Sequence, residues 1–316
     1  MRVLVTGVSG FVGNHLAPAL LRDGATVAGL VEGAGERVPA GAEVLAGDVT
    51  DAGAVARAVT AFRPEAVVHL AGASSVGASL ADPLPGWHVN AIGTMNVLEA
   101  VRLHAPEAVV LCVASAEIHG RVPLDALPVT PETPLRPLSP YGASKAAADL
   151  AAAQYHDGFG VRAVRVRSFN HIGPGQGEGF VVPRVAMQIA TAEAAGAARV
   201  ALRMGNLDTR RDFTDVRDVA EAYRVLLHQG VPDRPYVVCS GRSVAIRELV
   251  DRLAALTDLP VDVDTDPALM RAGEQADLFG DASALAELGW TPRIPLDRTL
   301  ADTLDWCRSR AAAQKE

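Results

Sequence analysis

Arg2-Val3-Leu4-Val5-Thr6-Gly7-Val8-Ser9-Gly10-Phe11-Val12-Gly13 opens on a short apolar strand and runs straight into a glycine-rich turn. The strand covers Arg2–Thr6, and the spacing Gly7-x-x-Gly10-x-x-Gly13 leads into a helical pattern over residues 13–23 that Gly24 ends. Between a strand and a helix, this spacing marks a pyrophosphate-binding turn. Glycine permits the tight turn and close backbone approach, and the helix N-terminus supplies N–H donors and a positive dipole. Gly7, Gly10, Phe11, Val12 and Gly13 are therefore expected to contact a dinucleotide.

Outward from this turn, strands and helices alternate. Strands Thr26–Val31 and Glu43–Ala46 precede a helix over Ala52–Phe62, and further strands fall at 66–70, 108–113, 161–167 and 236–239. Their continuous apolar runs, without alternation, predict a parallel sheet covered on both faces. The proline-rich stretch 123–140 reads as a loop that delivers Tyr141 to the start of the next helix. After a second glycine-rich loop, Gly173 to Gly179, the rhythm becomes irregular. The expected fold class is α/β, a Rossmann doubly wound parallel sheet with a smaller, discontinuous C-terminal substrate domain. In this division residues 1–169, rejoined by 212–240, hold the cofactor, and residues 170–211 and 241–316 hold the substrate.

The bulk properties exclude several classes. The 316 residues are 49% hydrophobic and 21% charged, which suits a soluble protein with a large core. Net charge is -8 and there is no basic cluster, which argues against a nucleic-acid partner. No apolar stretch reaches the roughly 20 residues that span a bilayer, and no signal peptide is read, so a cytoplasmic protein is expected. Cys112, Cys239 and Cys307 are far apart and odd in number, which reads as buried thiols with no disulfide frame and no metal site. The alanine-rich helical stretches near 91–104 and 142–156 present small faces suited to close packing, within the chain or in a helix bundle between subunits.

Chemistry enters with Ser139-Pro140-Tyr141-Gly142-Ala143-Ser144-Lys145. On a helix, Tyr141 and Lys145 lie four residues apart on one face. A phenol is a weak acid–base catalyst at its ordinary pKa of about 10, and a neighbouring cation lowers that value. With a dinucleotide turn in the same chain, the pair predicts hydride chemistry at an alcohol or ketone carbon. The second strand ends Leu30-Val31-Glu32; a carboxylate there bonds the ribose 2′-OH, whereas an arginine accepts a 2′-phosphate. Glu32 thus favours NAD(H) over NADP(H), with Arg37 five residues on. Asp48 and Val49, after the third strand, are placed for the adenine edge.

These segments, together with His69-Leu70-Ala71-Gly72, Asn90 and Ser115, resemble the extended short-chain dehydrogenase/reductases that act on nucleotide sugars, in the right order over essentially the whole chain. Arg167-Ser168-Phe169-Asn170-His171-Ile172-Gly173-Pro174-Gly175-Gln176-Gly177, Phe180-Val181-Val182-Pro183, Gly205-Asn206-Leu207-Asp208 and Arg211-Asp212-Phe213-Thr214-Asp215-Val216 narrow the resemblance to the GDP-4-keto-6-deoxy-mannose reductases.

The resemblance implies that Tyr141 donates a proton to the substrate O4 while a nicotinamide delivers hydride to C4. Lys145 would bond the nicotinamide ribose and depress the tyrosine pKa, and Ser115 would orient the same oxygen. Leu70, Ala71, Gly72 and Asn90 are implied as cofactor contacts. Ser75, Asn170, Val181, Arg211 and Arg271 are implied as contacts to a nucleotide-diphosphate sugar, a GDP-sugar first, with both arginines on the diphosphate. Glu117 stands two residues after Ser115, where dehydratases carry the glutamate that abstracts the C5 proton. A 4,6-dehydratase or a 4-epimerase is therefore the alternative to a reductase, and a homodimer is expected. Three departures stand out: His119 where the family usually has tyrosine, Ser74 in place of a common lysine, and Met270-Arg271-Ala272-Gly273-Glu274 without the usual proline. A purely regulatory, redox-sensing member would not need Ser115, Tyr141 and Lys145 together.

Overall fold

Val3 and Val5 of β1 (Arg2–Thr6) belong to one hydrophobic core and Leu4 to another, so this strand is covered on both sides. The computed structural model describes residues 1–33, 35–36, 38–270 and 275–313. The chain continues through α1 (Gly13–Arg22), β2 (Thr26–Val31), β3 (Glu43–Ala46), α2 (Ala52–Phe62), β4 (Ala66–His69), and the short α3 (Val76–Ala81) and α4 (Leu84–Trp87). A π-helical turn, His88–Ile92, runs into α5 (Gly93–His104), followed by β5 (Val109–Ser115), α6 (Pro140–Phe159) and β6 (Arg162–Ser168).

After β6 come β7 (Asn170–Ile172), α7 (Val181–Ala195), β8 (Val200–Met204), β9 (Arg210–Asp215), α8 (Val216–Gln229) and β10 (Pro235–Val238). The C-terminal part holds β11 (Ser243–Ala245), α9 (Ile246–Ala254), β12 (Val261–Thr265), β13 (Asp277–Leu278), α10 (Ser283–Ala286) and α11 (Leu296–Ala313).

Among the described residues, seven strands form one parallel sheet in the order β10-β6-β5-β4-β1-β2-β3. One face packs on α1 and α8 through Leu16, Leu20, Val219, Tyr223 and Leu226. The other packs on α2, α5 and α6 through Val55, Phe62, Leu98, Val101 and Tyr155. Each fully buried side chain of this size contributes about 1.5–3 kcal/mol, so the two cores together hold the sheet rigid. The chain order reverses at β1 and β4, where open α/β sheets bind ligands beyond the carboxyl ends of their strands.

A second sheet forms around β9. Its first half pairs with β11 and β13, and its second half with β7, bringing Asn170 opposite Phe213. β8 and β12 pair separately, and α7, α9 and α11 close a third core around Val185, Ile189, Leu249 and Leu304. β9 lies in the smaller sheet as far as Asp215, so the return to the large sheet starts with α8 rather than at residue 212. Ala284, Leu285 and Trp290 also join the large-sheet core, although they follow residue 241.

Candidate active site

The carboxyl edge of the large sheet assembles the residues singled out above. Ser115 ends β5 and pairs with Ser168 at the end of β6, while Thr6 and His69 end β1 and β4 side by side. α6 starts at the same edge: the Ser139 hydroxyl accepts from the amide of Gly142 at 3.0 Å, and Pro140 takes the first helical position, where no N–H is needed. A Cβ on Gly142 would stand 2.7 Å from the Glu117 carbonyl, so only glycine lets the helix start meet the 3₁₀ turn Ala116–His119 this closely.

Tyr141 is buried, and its phenol lies beside the Ser115 side chain. Burial pushes the phenol up to about 12; the Ser115 side chain lowers it and the nearby Glu117 carboxyl raises it. Lys145, expected to lower this pKa, makes its own contact with the sheet. The Lys145 Nζ donates to the Val113 carbonyl at 2.9 Å, and burial holds its own ammonium down to about 8. Lys145 does lie on the Tyr141 face of α6, and Asp149, one turn further, is clamped by Arg165 at 3.1 Å and Arg167 at 3.0 Å from β6. That clamp fixes the helix face to the sheet, since removing one partner of a buried ion pair leaves an uncompensated charge.

Asn90, implied above as a cofactor contact, is engaged within the protein. It is fully buried in the π-helical turn, accepts from the Ala73 amide at 2.9 Å, and donates to the Ala73 carbonyl at 3.1 Å and the Ser144 hydroxyl at 3.0 Å. It positions the loop after β4 against α6. Beneath it lies a directed chain of hydrogen bonds. Thr94 donates to the Asn90 carbonyl, so its oxygen accepts from His69 Nε2 at 3.0 Å. His69 Nδ1 then accepts from the Thr6 hydroxyl at 2.8 Å, whose oxygen accepts from the Ala71 amide at 3.1 Å. Burial first, and the Lys145 charge second, push His69 down to about 3, so the ring is neutral and this tautomer is fixed.

The glycine turn has the form a dinucleotide requires. Gly7 sits at φ 68, and a Cβ there would lie 2.7 Å from the Ala71 amide nitrogen. Among the described residues no side chain caps the start of α1 at Val12 and its first turn carries no acid; the amides of Asn14 and His15 donate to the Gly10 and Val12 carbonyls, which leaves the amides of Val12 and Gly13 for an anion. Phe11 stacks on His171 with ring centroids 5.9 Å apart, and His15 Nε2 bonds the Pro174 carbonyl at 2.9 Å, joining this turn to the 170–177 loop. Leu70 and Ala71 hang from β1, through the Thr6 carbonyl and hydroxyl. Asp48 accepts from the Thr50 amide at 2.8 Å, and the Val49 carbonyl accepts from Asn96 at 2.9 Å. Glu32 is exposed at the end of β2. The residues present fit an NAD(P) cofactor.

The implied substrate residues form a looser set. Asn170 donates to the Asp212 carbonyl at 3.2 Å, and Arg211 donates to the carbonyls of Arg210 and Gln275, both at 2.7 Å. Val181 starts α7. Ser75 caps α3 by accepting from Ala78 at 3.1 Å. Arg271 lies outside the described residues. Glu117 is half-buried beside Tyr141, and His119 is buried, with Nδ1 bonding the Pro134 carbonyl at 3.2 Å and burial holding it down to about 4. Thr6, Thr94, Ser144 and Asp149 were missed by the sequence reading. Spacing could have flagged two of them, because Thr94 follows Asn90 by one helical turn and Asp149 follows Lys145 by one.

A family model described as GDP-mannose 4,6 dehydratase matches residues 4–303. The GDP-6-deoxy-D-mannose reductase of Pseudomonas aeruginosa is 37% identical over 96% of this chain and 97% of that protein. The solved structure of RMD from Pseudomonas aeruginosa, complexed with NADPH, has a TM-score of 0.85 at 33% identity and covers 98% of this chain and 99% of that one. The UDP-glucose 4-epimerase of Thermus thermophilus, in complex with NAD, has a TM-score of 0.85 at 32% identity, with coverage of 98% and 99%. The chain belongs to the GDP-mannose 4,6-dehydratase family of extended short-chain dehydrogenase/reductases.

Proposed function

We propose that this protein is an NAD(P)H-dependent reductase of the C4 ketone of a nucleotide 4-keto-6-deoxy-hexose, with GDP-4-keto-6-deoxy-mannose as the first substrate to try and a GDP-rhamnose-like product. The observation that carries the reading is the buried Tyr141 phenol, set beside the Ser115 side chain at the carboxyl edge of the sheet. The similarity to a GDP-6-deoxy-D-mannose reductase supports the substrate class. NAD(P)H, when bound, supplies the hydride. Tyr141, held protonated by burial, gives its proton to O4, so that ketone, hydride and proton sum to an alcohol. Ser115 bonds the same oxygen and fixes its direction. Lys145, buried on the same helix face, supplies positive charge that stabilises the phenolate left behind.

In this reading the large sheet and its helices carry the cofactor, and the smaller sheets with α7, α9 and α11 carry the nucleotide sugar, with Asn170, Val181 and Arg211 nearest the diphosphate. Ile92, Met95, Leu103, Leu150 and Phe159 are exposed on or beside α5 and α6. A homodimer through these helices would bury that apolar surface.

A second reading, a GDP-mannose 4,6-dehydratase, has one observation in its favour: the Glu117 carboxyl lies close enough to Tyr141 to raise its phenol. One experiment separates the two. With GDP-4-keto-6-deoxy-mannose and NADH or NADPH, a reductase consumes the reduced cofactor. With GDP-mannose and no added reductant, a dehydratase yields a 4-keto product. Failure to oxidise reduced cofactor with any nucleotide 4-keto-sugar removes the reductase reading.

A further inference from the structure

At the end of β2, the acid in contact with the glycine turn is Glu36 rather than Glu32. One carboxylate oxygen of Glu36 accepts from the amides of Glu32 and Gly33, both at 3.1 Å, and the other accepts from the Ser9 hydroxyl. Ser9 stands inside the turn between Gly7 and Gly10, whereas Glu32 and Gly33 immediately follow β2. Three donors from two chain segments thus converge on one anion, in the manner of backbone nests that bind phosphate and carboxylate groups. The Ser9 bond first, then the Gly33 amide, hold the Glu36 carboxyl below its ordinary range. Glu36 is therefore an anion at neutral pH. The Glu32 side chain is exposed.

The place of this nest gives it meaning. In doubly wound sheets the end of the second strand meets the adenosine ribose, and the group presented there decides between a 2′-hydroxyl and a 2′-phosphate. We infer that Glu36, seated by its own carboxylate in the Ser9–Glu32–Gly33 nest, is the residue that makes this protein prefer NAD(H) to NADP(H). The inference rests on the reading that the glycine turn binds a dinucleotide. The carboxylate fills the donors that a 2′-phosphate would require and adds a like charge against it. Its remaining lone pairs can still accept from a 2′-hydroxyl.

The test is calorimetric titration of NADH and of NADPH into the intact protein without sugar, so that no turnover is needed. Wild-type protein should bind NADH more tightly. Glu36→Gln, which removes the charge and keeps the shape, should raise the NADPH-to-NADH affinity ratio by about tenfold, equivalent to about 1.4 kcal/mol. Ser9→Ala, which loosens the nest without removing the charge, should move the ratio the same way by less. Glu32→Gln should leave it within about twofold. A ratio unchanged in Glu36→Gln, or moved as far by Glu32→Gln, overturns the assignment while leaving the cofactor reading intact. Wild-type protein that binds neither dinucleotide removes both.

Discussion

The two sheets of this molecule carry family-like motifs of equal clarity and use them differently. At the edge of the large sheet, the Tyr141 phenol is buried beside Ser115. In the smaller sheet, the acids of Arg211-Asp212-Phe213-Thr214-Asp215 and of Asp218 are engaged within the protein. Asp212 accepts from the amides of Ser240 at 2.7 Å and Gly241 at 2.9 Å. Asp215 accepts from Arg217 and from Thr299 of α11 at 2.7 Å. Asp218 accepts from the amides of Arg293 and Ile294 at 2.9 and 2.8 Å. One motif is the site proposed for chemistry, and the other joins β9, the end of β10 and the start of α11 into one frame. A sequence motif therefore marks where side chains are constrained, and only their partners tell which constraint is structural.

Substitutions can break this contrast. Tyr141→Phe should lower turnover by about 10³-fold, the size of effect expected for a lost general acid, while the denaturation midpoint stays close to wild type. A matching loss of stability would mean that Tyr141 belongs to the frame. Asp212→Ala should do the reverse. It strands the backbone donors of Ser240, Gly241 and Gly280 and should cost about 2 kcal/mol in urea unfolding, with turnover per folded molecule preserved; a fall in turnover without destabilisation would place Asp212 in the site.

Acidification tests the frame of the large sheet. His69 takes up a proton near 3 in the folded protein against 6.5 ordinarily, and His119 near 4. The unfolded chain therefore binds protons first as pH falls through 6.5, so acidification from pH 7 to 5 should lower the denaturation midpoint. A His69→Gln variant should show a shallower fall, and an identical slope would detach His69 from the effect.

Much of this arrangement was legible before any coordinates. β1, the glycine turn, the doubly covered sheet and the start of α6 followed from apolar runs, glycine spacing and the proline-rich loop that ends at residue 140. The residues of the site were legible as types, but their partners were not. Asn90 carries the same amide whether it faces a cofactor or, as here, the Ala73 backbone, and only the fold of the loop decides. Lys145 is one helical turn from Tyr141 by spacing, but the bond from its ammonium to the Val113 carbonyl comes from the fold. Glu32 held the expected position, but the loop curls so that Glu36, four residues on, reaches the glycine turn. In each case the deciding fact is a long-range or loop contact, which local spacing does not encode.

The hydrogen-bonded chain from Thr6 through His69 and Thr94 to Asn90, and on to Ser144, has a consequence for how the protein acquires activity. Its members come from β1, β4, the turn before α5, α5 itself and α6, so none of its links is local in sequence except Thr94 to Asn90. Parallel strands close only after their helical crossovers have formed, and such non-local pairings are slow to complete. Helices can be nearly full-length while this chain is still open. During refolding, the site should be the last part of the molecule to mature, with catalysis lagging behind secondary structure.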